Sequence, residues 1–189
     1  MTPTHTSGRV AIPSLPTVLD AFNIAPAAEA RGLLLDCLRS LRWAERIAAH
    51  RPYPTVEALL AASDEAAYDL TSADLSEALA AETLPLLPEG AYSPAHMAMD
   101  AAHAAYEARF GHAFVICLDG LPADEALDHV LAGIRSRLTN DPEEERVVAA
   151  EELRRVARGR LVSSLRGARN CATSPHGAAP GTQQSRPPH

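Results

Sequence analysis

The stretch from Tyr106 to Cys117 constrains this chain more than any other. An amphipathic pattern runs into Gly111, and Gly takes the left-handed position after a helix without a Cβ clash, so a helix is expected to stop there. Phe114 to Leu118 are then all apolar, bounded by Gly111 on one side and Asp119-Gly120 on the other. Such a run is a buried extended segment or a buried turn of helix, and periodicity does not choose between them. An extended run needs partners for its N–H and C=O groups. A planar heterocycle rich in amides can supply some of them.

The remaining apolar residues recur mostly at helical spacing, and Pro, Gly, Ser and Thr punctuate them. Leu15, Val18, Leu19 and Phe22 follow Ser14, a possible N-cap. Pro26 is expected at the first position of a second helix carrying Leu33, Leu34, Cys37, Leu38 and Leu41, with a break near Ser40 before Trp43 and Ile47. Arg51-Pro52-Tyr53-Pro54 is a stop. Thr55 caps a helix carrying Val56, Leu59 and Leu60 and continuing through Leu70, and Ser72 caps the next. After a loop over 83–90, Ser93-Pro94 starts a helix over 94–110. Pro122 opens another with Leu127, Val130, Leu131 and Ile134, and Asp141-Pro142-Glu143-Glu144 reads as a capping box. The last helix, from 142 to about 165, carries Val147, Val148, Leu153, Val156 and Leu161 inward. The expected fold is all-α: one helical domain over 14–166, with residues 1–13 and 167–189 expected to be disordered. A non-helical segment is expected near 113–118.

Composition narrows the function. The chain has 189 residues, 47% of them hydrophobic and 4% aromatic, which favours a helical core over a sheet. A net charge of −7 argues against a general nucleic-acid binder. No stretch approaches the roughly 20 apolar residues of a membrane span. All 17 basic residues are Arg. Without Lys there is no Schiff base with a carbonyl substrate and no P-loop lysine. Chemistry that builds up a carbanion would therefore use an electron sink within the substrate, or a metal. Cys37, Cys117 and Cys171 lack metal-ligand spacing, and Met1–Arg9 holds no apolar signal segment, so a reduced, cytoplasmic protein is expected.

Tyr106-Glu107, Arg109-Phe110-Gly111, Phe114-Val115-Ile116-Cys117, Arg137-Leu138-Thr139-Asn140-Asp141 and Arg160-Leu161, in that order, resemble the C-terminal half of the 2-oxo-4-hydroxy-4-carboxy-5-ureidoimidazoline (OHCU) decarboxylases. The pattern from Phe22-Asn23 through Trp43-Ala44 to Arg51-Pro52 is similar to the family's beginning. The resemblance implies an all-α single-domain helical bundle. It also implies cofactor-independent decarboxylation of a small ureidoimidazoline to (S)-allantoin in urate breakdown, with no nucleic-acid or membrane partner and a possible homodimer. Arg160 falls on the family's anion-holding Arg, and Phe114, Val115, Ile116, Cys117 and Leu118 fall on its pocket run. The family's catalytic His falls on Glu82 and the following Pro on Thr83, two departures from the pattern. Ser93, His96 and Met97 stand for its downstream Ser-x-x-Glu-Gln segment, from which more residues lead to the Tyr-Glu in the family than here. Glu82, His96 and Arg160 are thus the catalytic candidates, and Thr83, Ser93, Met97 and 114–118 the substrate-binding ones. A catalytically inactive or repurposed relative is the alternative.

The helix over 94–110 offers a different class of site. His96, Asp100, His103 and Glu107 recur at i, i+4, i+7 and i+11, a spacing that suits zinc or iron ligands as well as a polar outer face.

Overall fold

The structure, a computed structural model, describes residues 17–83 and 94–171. Among these residues it is all-helical, as expected, with eight helices: α1 (Val18–Ile24), α2 (Ala27–Cys37), α3 (Leu41–Ala49), α4 (Val56–Tyr68), α5 (Ser72–Ala80), α6 (Pro94–Phe110), α7 (Ala123–Arg137) and α8 (Pro142–Cys171). No helix of the described residues is long and apolar enough to cross a membrane.

Capping chemistry sets most of the boundaries, often one residue from the expected position. Thr17, not Ser14, caps α1, in a capping box with Asp20, and Thr71 rather than Ser72 does the same for α5 with Asp74. Each Asp returns the bond to its cap's own N–H, which a lone Ser could not provide. Pro26 and Pro122 stand at the N-cap rather than inside their helices. Ser40 caps α3 and Thr55 caps α4, and α4 runs on unbroken to Tyr68. Helix α8 starts on the Asp141 cap, which accepts from the N–H groups of Glu143 and Glu144 at 2.9 Å, and extends to Cys171, past the expected end near 165. The expected N-terminal segment and residues 172–189 of the expected tail lie outside the described residues.

Two apolar clusters form. The larger joins α1–α5 to α8 around Leu34, Trp43, Ile47, Leu59, Leu153 and Leu161. The smaller joins α6 to α7 through Met99, Tyr106, Phe114, Val130 and Ile134. The residues after α6 join them. Gly111 has φ +77°, ends α6 as expected, and releases the chain into a non-helical run. In an extended chain successive side chains point to opposite sides. Val115 accordingly enters the larger cluster, while Phe114, Ile116 and Leu118 pack in the smaller. A turn of helix could not divide adjacent residues between the two clusters in this way.

A run buried without a neighbouring strand must satisfy its peptide groups from side chains. Arg137 Nη1 donates to the Val115 carbonyl at 2.6 Å, and the Arg137 guanidinium stacks 4.5 Å from the Phe114 ring centroid. Arg137 in turn is neutralised by Glu145, which is wholly buried and accepts from its Nε at 2.8 Å. The Tyr106 hydroxyl donates to the same carboxylate, and Asn140 Nδ2 donates to its other oxygen at 2.9 Å. Burial, with that bond to Glu145, pushes the Tyr106 phenol well above its ordinary range. The sequence reading placed Val147 inward on α8. It is 71% exposed, because the inward stripe runs Glu145, Ala149, Leu153, Ala157, Leu161 and Leu165.

On the outer side, Arg154 bridges α8 to α4 by donating to Asp64 at 2.7 Å while gripping Glu151 at 2.7 and 3.0 Å. Arg154 holds the Glu151 carboxyl at about 2, below its ordinary 4.5. A depressed carboxyl contributes stability above its unfolded value and loses it as pH falls toward the folded one. Stability should therefore decline between pH 4.5 and 2, and Glu151→Gln should flatten that decline in acid titrations followed by circular dichroism. At neutral pH, Glu145→Ala should lower stability by about 3–5 kcal/mol, because it strands the Arg137 charge. The exposed Glu143→Ala should stay within about 0.5 kcal/mol in the same urea melts.

Candidate functional site

A cavity of about 290 Å³ opens between the end of α5, the apolar run and α8. It is lined by Glu82, Thr83, Phe114 to Asp119, Val156, Gly159, Arg160 and Ser163. Glu82 and Thr83 follow α5, whose last turn holds the Glu82 N–H on the Leu79 carbonyl at 3.2 Å. Arg160 lies next to Leu161 on α8, at the margin of the buried stripe.

The two charged groups meet in a two-pronged pair. Arg160 Nη1 and Nη2 donate to Glu82 Oε1 and Oε2 at 2.7 and 2.8 Å, and Nη1 also donates to the Cys37 carbonyl at the end of α2 at 3.2 Å. The Glu82 side chain is 5% exposed and that of Arg160 40%. The Glu82 bond raises the guanidinium's affinity for its proton, so Arg160 is a permanent cation. Burial pushes both the Cys37 and Cys117 thiols up, so neither is an activated thiolate.

The apolar run that lines the cavity is held by side chains of α7 and α8. The Glu152 carboxylate accepts the Cys117 N–H at 2.8 Å, and the Val115 carbonyl is occupied by Arg137. The described hydrogen bonds leave the Ile116 N–H and C=O free to meet a ligand. Gly159 admits the Asp119 side chain against α8, since a Cβ there would lie 1.9 Å from Asp119 Oδ2.

The cavity thus brings together Glu82, Thr83, Arg160 and residues 114–118. Met97, expected among the binding residues, is 71% exposed on α6 and does not line it. His96 lies in the first turn of α6, its side chain beyond the described residues, and Ser93 lies outside them. The stripe on α6 is not a single polar face. Asp100 and Glu107 are exposed, but His103 is buried beside Phe114, ring centroids 6.3 Å apart, and neither ring nitrogen has a hydrogen-bond partner. Burial lowers its affinity for a proton, so it packs as a neutral aromatic ring. Among the described residues no group of three or more His, Cys, Asp or Glu could hold a metal ion.

Sequence reasoning missed Asp119, Glu152 and Gly159. Glu152 sits in a Glu-Glu-Leu-Arg-Arg stretch that reads as a solvated helix face. The signal for Gly159 was a Gly deep inside a helical pattern, which implies a close approach. Glu152→Ala should cost about 1–3 kcal/mol by leaving the Cys117 N–H without an acceptor. It should also speed hydrogen exchange at Cys117, whereas Glu152→Gln, with its amide oxygen, should retain most of the protection.

The fold has solved counterparts. The crystal structure of (S)-allantoin synthase superposes with a TM-score of 0.63 at 23% identity over 78% of this chain, which spans only 53% of that one. The crystal structure of OHCU decarboxylase in the presence of (S)-allantoin gives 0.59 at 19% identity, over 70% of this chain and 96% of that one. No curated protein sequence is significantly similar to this chain. The sequence model of the OHCU decarboxylases matches residues 23–83 and 90–162, so both sides of the cavity fall within it. The chain belongs to the OHCU decarboxylase family.

Proposed function

We propose that the protein decarboxylates 2-oxo-4-hydroxy-4-carboxy-5-ureidoimidazoline to (S)-allantoin, without a cofactor, as a step of urate breakdown. The observation that carries this reading is the convergence of Glu82, Thr83, the 114–118 run and Arg160 on one cavity. Arg160 supplies the positive charge for the substrate carboxylate, a role that only Arg can take in a chain without Lys. The free peptide groups of the run match the N–H and C=O edges of a ureide ring, and the Thr83 hydroxyl adds one further polar group. The apolar side chains of the run limit water at the reacting carbon. Loss of CO2 leaves an electron pair that the substrate's own ring system delocalises, so the protein's task is to bind, to exclude water and to protonate one face. Glu82 is the acid closest to the anion site, and His96 is the second candidate.

A second reading has its own support. Glu82 stands where the resemblance places a His, and its two-pronged hold occupies part of Arg160. That arrangement also suits a binding or regulatory module that has lost turnover.

One experiment separates the two. The substrate is generated in situ from urate, and the appearance of optically active allantoin is followed by circular dichroism. Acceleration over spontaneous decay is expected; its absence would leave the binding-module reading. In the active protein, Arg160→Ala should weaken binding or turnover by about 2–5 kcal/mol. Arg158→Ala, whose side chain is bonded to Asp64 at 2.6 Å, should change activity little. Equal small effects would remove Arg160 from the anion role.

A further inference from the structure

A guanidinium carries five N–H donors in a fixed fork, so the bonds of Arg160 can be counted. Nη1 spends both of its hydrogens, on Glu82 Oε1 and on the Cys37 carbonyl. Nη2 spends one on Glu82 Oε2. Among the described residues the Nε–H and the second Nη2–H have no acceptor. These two lie along one edge of the guanidinium and form a second two-pronged fork of the kind that takes a carboxylate. The Arg160 side chain is 40% exposed and lines the cavity, whereas the carboxylate behind it is 5% exposed. An arriving anion would therefore share one guanidinium with a nearly dry carboxylate.

We propose that the open edge of Arg160 binds the carboxylate of a planar ureide ligand and that Glu82 responds by taking up a proton, so that binding loads the acid the reaction requires. Only that last step rests on the decarboxylase reading; the proton uptake does not. Two carboxylates on a single cation, one of them desolvated, repel each other, and one bound proton relieves that repulsion. Arg160 on α8 is the partner of Glu82, and the Cys37 thiol at the end of α2 is held protonated by burial and carries no charge. Beyond the run, the Cys117 thiol is likewise raised by burial, while the exposed Asp119 adds a negative charge to the same cavity.

The proton then has a use. The bond from the ring carbon to the substrate carboxylate breaks, CO2 leaves, and the electron pair stays on the ring. That carbon takes the proton from Glu82, whose carboxylate resumes its full pair with Arg160. One proton enters from solvent for each CO2 released, and the site is reset without any other reactant.

The test is calorimetric titration of the full chain with orotate, a planar ureide ring bearing a carboxylate, in buffers of differing ionisation enthalpy. Uracil, the same ring without the carboxylate, is the control. Wild-type protein should take up about one proton per orotate bound, Glu82→Gln about none, and Glu82→Asp should retain the uptake. Uracil should bind without uptake. Far-UV circular dichroism and melting curves establish that both variants are folded. Orotate binding without proton uptake in the wild type, equal uptake in wild type and Glu82→Gln, or no binding of orotate to either at millimolar concentration would each overturn the proposal. None of these results depends on turnover, so a protein that takes up the proton yet makes no allantoin keeps this inference and loses the decarboxylase reading.

Discussion

The buried ion pair between Arg137 and Glu145 is the interaction on which the rest of this structure depends. A helical protein that includes an extended, buried run must find hydrogen-bond partners for that run without a sheet. Here the donor is a guanidinium that also stacks on the run's own Phe114. A charge at that depth is costly alone, and Glu145 offsets the cost only because its own oxygens are saturated by Arg137, Tyr106 and Asn140. The network draws one residue or more from α6, α7, the α7–α8 turn and α8. It fixes the start of α8 relative to the run and, some four turns further along the same helix, the height at which Arg160 meets the cavity.

The same device recurs at the site with the opposite emphasis. Arg137 is 7% exposed and its charge is fully answered within the protein, so it serves architecture. Arg160 is answered on one edge only, and its carboxylate partner is the more buried of the two. A charge-balanced but half-open guanidinium suits ligand binding: it is held rigidly by Glu82 and the Cys37 carbonyl, yet keeps donors in reserve. Lys could not play either part, since its ammonium has no planar edge to divide between partners. The absence of Lys from the chain thus coincides with two buried or half-buried sites at which the fork geometry of Arg is in use.

Much of the fold was legible because its signals are local. Pro, Gly, Ser and Thr mark every helix boundary to within a few residues, and Gly111 reports the end of α6 directly through its positive φ. The cavity residues were legible through family resemblance at Glu82, Thr83, 114–118 and Arg160. What escaped was the set of charged groups that work inside the protein. Glu145 and Glu152 lie in stretches crowded with other acids and bases, where periodicity marks a solvated face, and nothing local distinguishes the one Glu that is wholly buried. Val147 was misplaced for the same reason: once Glu145 faces inward, the residue two positions later faces water. His103 was misread as part of a polar stripe because an imidazole packed without hydrogen bonds looks, in sequence, like a ligand.

The position of the cavity follows from the alternation along the run. Phe114, Ile116 and Leu118 pack in one apolar cluster and Val115 in the other, and the two clusters are otherwise built from different helices. Two clusters joined by a single strand of chain leave a seam beside it, and α8 crosses that seam with Gly159, whose missing side chain lets Asp119 approach the helix. Val156 and Ser163, about one turn to either side of that glycine, and Arg160 next to it then line the opening. The cavity is therefore a consequence of using an extended segment to join two helical packs. Its chemistry is set by the residues that α5 and α8 bring to the seam, Glu82 and Arg160, and those can change without altering the packing that creates the space.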